Sequence, residues 1–352
     1  MHGWRCPLPT RTAGCRGDCG AAPLRGTAVT PGGGRKRLAL PVLVAVSLLV
    51  VAVAVVSGPR LLNPFVMDGE TCRMLLAIRL PRIAVALLMG GALGASGVVL
   101  QGVIRNPLAD PYVLGISSGA SLSAALGMLL PFDALPLQVP ALAFAGALAT
   151  GAMVGMLGSG RGGVLQERLL LAGVGVGFFL SAVLMLVLAL CRDDGLRRAF
   201  LWMSGDLAAA DWGRIPAGAA IVLAGLVLAL ARGEALNALA LGDDIAHGLG
   251  FDPGRERRWL FAAAALMTAA SVSLGGPVGF IGLVVPHLVR RSVGSVASLL
   301  LPLSALVGGA LLCSADTVGR CAAAPEEVPA GVVAALIGSP YFLYRLFRER
   351  GR

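Results

Sequence analysis

The chain has 352 residues, 57% hydrophobic and only 14% charged, where a soluble domain carries about 25% charged residues. This excludes a globular domain surrounded by water and makes membrane spans, not cores, the units to count. The net charge of +10 would raise nucleic acid as a partner of a soluble protein. Here the basic residues sit between apolar runs and at the termini, where membrane topology uses them, so no nucleic acid is expected.

In chain order, residues 1–37 are rich in Gly, Pro, Arg and Cys and show no hydrophobic period. They read as a disordered basic cytoplasmic tail, and residues 38–352 as the transmembrane domain. Cys15 and Cys19 form a C-x3-C pair with no second pair nearby, a weak zinc signal. Arg35-Lys36-Arg37 precedes the apolar run 38–57. That run is too long for a secretory leader, and Val55-Val56-Ser57-Gly58 makes a poor cleavage site, so it reads as a retained first span.

Nine further apolar runs follow, near 83–104, 113–130, 138–158, 169–191, 215–231, 259–275, 278–289, 296–315 and 328–344. The expected fold is all-α, polytopic, with about ten transmembrane helices. The run 278–289 is short and opens with Gly275-Gly276-Pro277, which reads as a helix beginning partway through the membrane. With the amino terminus inside, the inner segments hold 20 of the 29 basic residues, so both termini are expected in the cytoplasm. Cys72, Cys191 and Cys321 would then face outside.

No Asp, Glu, Lys or Arg lies in the centre of any run, which disfavours an ion-coupled secondary carrier. The chain has no phosphate-cradling loop, since its one Lys, Lys36, lacks the required spacing. No catalytic triad, metal motif or paired carboxylates appear either. The reading is not an enzyme, with no catalytic residues, metal or cofactor, and any ATP must be bound by another chain.

Three stretches are more specific. Arg79-Leu80-Pro81-Arg82 leads through Gly90-Gly91-Ala92-Leu93-Gly94 and Gly97 to Asn106-Pro107-Leu108-Ala109-Asp110-Pro111. The second runs from Gly276-Pro277 to Pro286-His287, and the third from Asp316-Thr317-Val318-Gly319-Arg320 to Ser339-Pro340-Tyr341-Phe342. In order and spacing these resemble the iron-siderophore, haem and cobalamin permease family of type II ABC importers.

The resemblance implies a permease subunit of the bacterial cytoplasmic membrane, embedded in lipid and paired with a second copy or a related chain. Two cytoplasmic ATPase subunits and an extracytoplasmic substrate-binding protein are implied as partners. The implied cargo is an iron-siderophore complex or haem, with cobalamin the alternative. It also implies that Arg79, Arg82 and Arg320 dock acidic side chains of the binding protein, which suits a guanidinium fork. For Arg320 an i,i+4 pair with Asp316 is the other reading.

Asn106 and Leu108 match a cytoplasmic gate in the family, although Asn-Pro is also a good turn. Gln166 and Glu167 stand where the family's cobalamin importer has small hydroxyl residues. Residues 233–257 form the implied ATPase-coupling loop, with Leu241, Gly242, Asp243, Ala246, Leu249 and Gly250 as contact residues. It reads as two short helices broken at Gly242, with Asp243 as N-cap of the second.

Overall fold

Each of the ten apolar runs folds as a helix, and several helices outgrow their runs. The computed structural model describes residues 33–58, 69–112, 114–129, 137–160, 163–164, 166–190, 193–322 and 326–349. Residues 34–352 form one compact unit. The Cys15–Cys19 pair, Cys191 and most of the basic tail lie outside the described residues.

The helices are α1 (Gly33–Val56), α2 (Gly69–Met74), α3 (Leu80–Ile104), α4 (Ile116–Leu129), α5 (Gln138–Leu157), α6 (Gln166–Ala189) and α7 (Asp193–Met203). They continue as α8 (Ile215–Ala231), α9 (Gly233–Leu241), α10 (Asp243–Gly248), α11 (Pro253–Gly275), α12 (Ile281–Val293), α13 (Ala297–Ala322) and α14 (Ala330–Glu349). Among the described residues, the extended structure is one two-residue pair, Ser159–Gly160 against Gly163–Val164. Among the described residues, six helices are long and apolar enough to cross a membrane, and α8 with α9, bent by 58°, would make a seventh. The ten-span expectation is thus approximate: α4, α12 and α14 are helical but shorter or less apolar than a full span.

Two boundaries differ from the expectation. Residues 33–37, read as tail, already belong to α1. The second span starts well before residue 83, because α2, a π-helical turn at Leu75–Arg79 and α3 run on as one helix. Leu80 N–H bonds to Leu75 O, five residues back. The wide turn sits just before Pro81, which has no N–H for a regular helical bond.

α3 is the central helix, with most of its residues buried, and its glycines explain why. A side chain at Gly90 or Gly94 would strike the backbone carbonyl of Gly308 or Ser304 on α13, and one at Gly97 the carbonyl of Gly282 on α12. Small residues at a four-residue spacing let helix backbones touch where apolar burial alone gives no preference between lipid and neighbour. The Gly276 break is as expected: φ is 80° there, and a Cβ would collide with Trp202 O. The chain then runs non-helical to Phe280, itself left-handed at φ 67°, before α12 begins.

Candidate functional site

Two clusters lie at opposite ends of α3, whose 25 residues span about 38 Å. At its start, Arg82 Nε donates to Asp316 Oδ1 at 2.8 Å and Nη1 to Glu327 Oε2 at 2.6 Å. Arg320 pairs with Asp316 Oδ2 at 3.0 Å, and its Nη2 donates to Thr317 at 3.2 Å. Arg82, Asp316 and Arg320 are buried, while the Glu327 side chain is 37% exposed. Two cations and two anions make a neutral cluster, which is how buried charge is tolerated. Arg79, also buried, donates to the carbonyls of Val55, Val56 and Ser57. It thereby satisfies orphan carbonyls at the end of α1, where the helix dipole favours a cation.

The structure therefore brings Arg79, Arg82 and Arg320 together, but inside the bundle. The i,i+4 pair read for Arg320 is present. α3 and α13 extend past their apolar runs and take in these charges, so the helices are not as free of charge as the runs.

At the far end of α3, Arg105 caps the helix with left-handed backbone, φ 51°. Its Nη2 donates to Gln166 Oε1 at 3.0 Å and lies 3.4 Å from Asp243 Oδ1. Gln166 Nε2 in turn donates to Val103 O at 3.1 Å. Asn106 spends its side chain within its own turn, accepting from Leu108 N–H at 2.9 Å. Leu108 is about half exposed, and it lines a cavity of about 350 Å³ with Asp110, Tyr112, Phe280, Leu283 and Val332. Glu167 is exposed in the first turn of α6.

Asp110 fixes this loop from within. It accepts from Tyr112 N–H at 2.7 Å and faces the start of α12. Burial pushes its carboxyl up to about 6, against the pull of the Tyr112 and Leu283 backbone N–H groups.

The two short helices break at Gly242 as expected, at φ 137°. Asp243 is not the N-cap. Gly242 holds that position without a side-chain bond, and the Asp243 carboxylate instead receives Arg257, whose Nη1 donates at 3.0 Å. The buried guanidinium of Arg257 outcompetes the local backbone for this carboxylate. Leu241, Ile245 and Leu249 are exposed at 68%, 47% and 62%, while Ala246 is buried and packs the pair down. Gly250 is exposed at φ 86°. α11 starts at Pro253, capped by Asp252, so the loop ends at 252 and not at 257.

The chain matches the FecCD transport family over residues 38–348. It belongs to that family. It is 42% identical to the cobalamin import system permease BtuC of Halobacterium salinarum, over 89% of this chain and 86% of that one. It is 40% identical to the hemin transport system permease HmuU of Yersinia pestis, over 78% and 83%. It is 39% identical to the Fe(3+) dicitrate transport system permease FecD of Escherichia coli, over 82% and 90%. Among solved structures, an inward-facing metal-chelate type ABC transporter superposes with a TM-score of 0.78 at 27% identity, covering 89% of this chain and 99% of that one.

In this FecCD permease, sequence reasoning passed over Glu327 and Arg105. Glu327 is one of two adjacent acids in a loop, and nothing local says it reaches Arg82, 245 residues away. Arg105 counted only as an inner positive charge. The one local signal was a basic residue between a helix end and Asn106-Pro107.

Proposed function

We propose that this FecCD permease imports a metal chelate of the iron-siderophore or haem type across the bacterial cytoplasmic membrane, with both termini inside. It pairs with a second permease chain, takes its driving force from two cytoplasmic ATPase subunits and receives cargo from an extracytoplasmic binding protein. Cobalamin is the alternative cargo, and the related permeases, named for cobalamin, hemin and ferric dicitrate, all support a metal complex.

The observation that carries the reading is the exposed apolar face of Leu241, Ile245 and Leu249 on α9 and α10. A cluster of large apolar side chains left bare at a loop is suited to a protein partner, and the ATPase is that partner. The loop from Asn106 to Leu108, next to Gln166 and Glu167, closes the inner end of the pathway. At the other end, Arg79, Arg82 and Arg320 mark the docking site of the binding protein. Docking there proceeds by exchange: an incoming acidic side chain replaces Glu327, the exposed carboxylate, on Arg82.

Proteoliposomes carrying the permease with its ATPase subunits and binding protein test this. ATP-dependent uptake of radiolabelled ferric siderophore, hemin or cobalamin is expected. Uptake that proceeds without ATPase and binding protein, driven by an ion gradient, would refute it.

A further inference from the structure

Arg105 touches all three parts of the inner end. It begins the loop that carries Asn106 and Leu108, it bonds Gln166 at the start of α6, and it faces Asp243 at the start of α10. A Cβ on Gly242 would sit 3.6 Å from the Arg105 Nη1, so the break between α9 and α10 lies against the same guanidinium.

Asp243 is held on its other side by Arg257, which is buried in α11. The carboxylate is therefore tied to α11 through Arg257, and Arg105, 36% exposed, is its second cationic partner. The Arg105 backbone is left-handed, a conformation a non-glycine residue keeps only when its surroundings over-determine it. It marks the point where rigid α3 gives way to the loop. A pocket of about 350 Å³ adjoins the side chain, walled by Gln101, Asn237, Leu241, Arg290 and Leu300, which leaves room for movement.

We propose that Arg105 is a positioning residue that relays displacement of α10 to the loop 106–112 and to the start of α6. This rests on the importer function proposed above and names the residue through which ATPase motion reaches the gate. A planar guanidinium meets a carboxylate and an amide oxygen together, so the two move as one. An ammonium, a point charge with three rotatable donors on a flexible stem, fixes no geometry between them.

The test is uptake per ATP hydrolysed in the reconstituted complex, with radiolabelled ferric siderophore, hemin and cobalamin as probes. Arg105→Gln is expected to keep ATP hydrolysis and lower that ratio about tenfold. Asp243→Asn leaves Arg257 an acceptor but removes the charge facing Arg105. The double variant is expected to be no worse than the worse single variant, as one link broken twice requires. Additive losses, or an unchanged ratio in Arg105→Gln, would overturn the relay.

Should Arg105→Gln fail to insert, Arg105→Lys decides: a ratio below wild type supports the relay, and a wild-type ratio overturns it. The wild-type complex run in parallel separates the two readings. No ATP-driven uptake of any probe refutes the importer function, whereas uptake indifferent to Arg105 refutes the relay alone.

Discussion

Arg82 and Asp316 lie 234 residues apart in sequence and meet at 2.8 Å, buried between α3 and α13. The contact is made at the helix pair whose glycines already bring the two backbones together, so close packing and charge pairing fix the same register. Asp316 also serves Arg320, which makes it the shared anion of two buried cations.

Asp316→Asn leaves Arg320 without its carboxylate and Arg82 with Glu327 alone, a net positive charge in a buried cluster. Breaking a buried pair in this way costs about 3–5 kcal/mol. A large fall in the unfolding midpoint in detergent micelles is expected, and a midpoint within the error of wild type would show that the cluster contributes nothing.

Glu327→Gln is expected to cost less stability than Asp316→Asn, because the Glu327 side chain is 37% exposed whereas Asp316 is buried. The Gln substitution frees one arm of Arg82, so association of the binding protein with nanodisc-embedded permease should quicken at low salt. An unchanged association rate would remove Arg82 from the docking surface. Arg82→Glu is a poorer probe, since it puts a third carboxylate into the buried cluster.

Gly97→Ala drives a methyl group into the Gly282 carbonyl, and overpacking of this kind costs about 1–3 kcal/mol. Gly175→Ala is the matched control. A Cβ there has nothing within 4 Å, so it should gain the roughly 0.5–1 kcal/mol that separates Ala from Gly in a helix. Thermal unfolding of the two variants is expected to shift in opposite directions.

Asp110 gives a pH signature. Its folded pKa of about 6 lies above the ordinary carboxyl value of 3.8, so the folded chain holds the proton more tightly than the unfolded chain. Its contribution is fully present below about pH 4 and is lost as pH rises through 6. Wild type should therefore lose more stability than Asp110→Asn between pH 4 and 7, as read from paired melting curves. Parallel curves would place the carboxylate in a more polar setting.

Leu249→Glu changes a side chain that is 62% exposed, and its effect on folding should stay within about 0.5 kcal/mol. Co-purification of the ATPase subunits is expected to fail. Retained co-purification with normal coupling would move the contact surface off α10.

Much of this was legible in the sequence, for identifiable reasons. The apolar runs mark the helices because lipid demands length and hydrophobicity locally. Gly276-Pro277 marks the break because φ and a missing N–H are properties of single residues. Gly242, between Leu241 and the Asp243-Asp244 pair, marks the break between α9 and α10 in the same way. The helix starts near Arg79 and Asp252 were misplaced because charge at a helix end looks like flank until its partner is known. Asp243 looked like an N-cap because Asp before a short helix usually is one, and Arg257 supplied a stronger competitor.

The sequence by itself determined a helical membrane permease, the positions of its breaks and, through its order of motifs, its family. Only the tertiary structure decided what the charges do. It turned three arginines inward onto Asp316, Glu327 and the end of α1, and it set Arg105 between Gln166 and Asp243. Hydropathy and backbone preference act over a few residues, whereas an ion pair depends on which helices touch, and that is settled by packing across the whole chain.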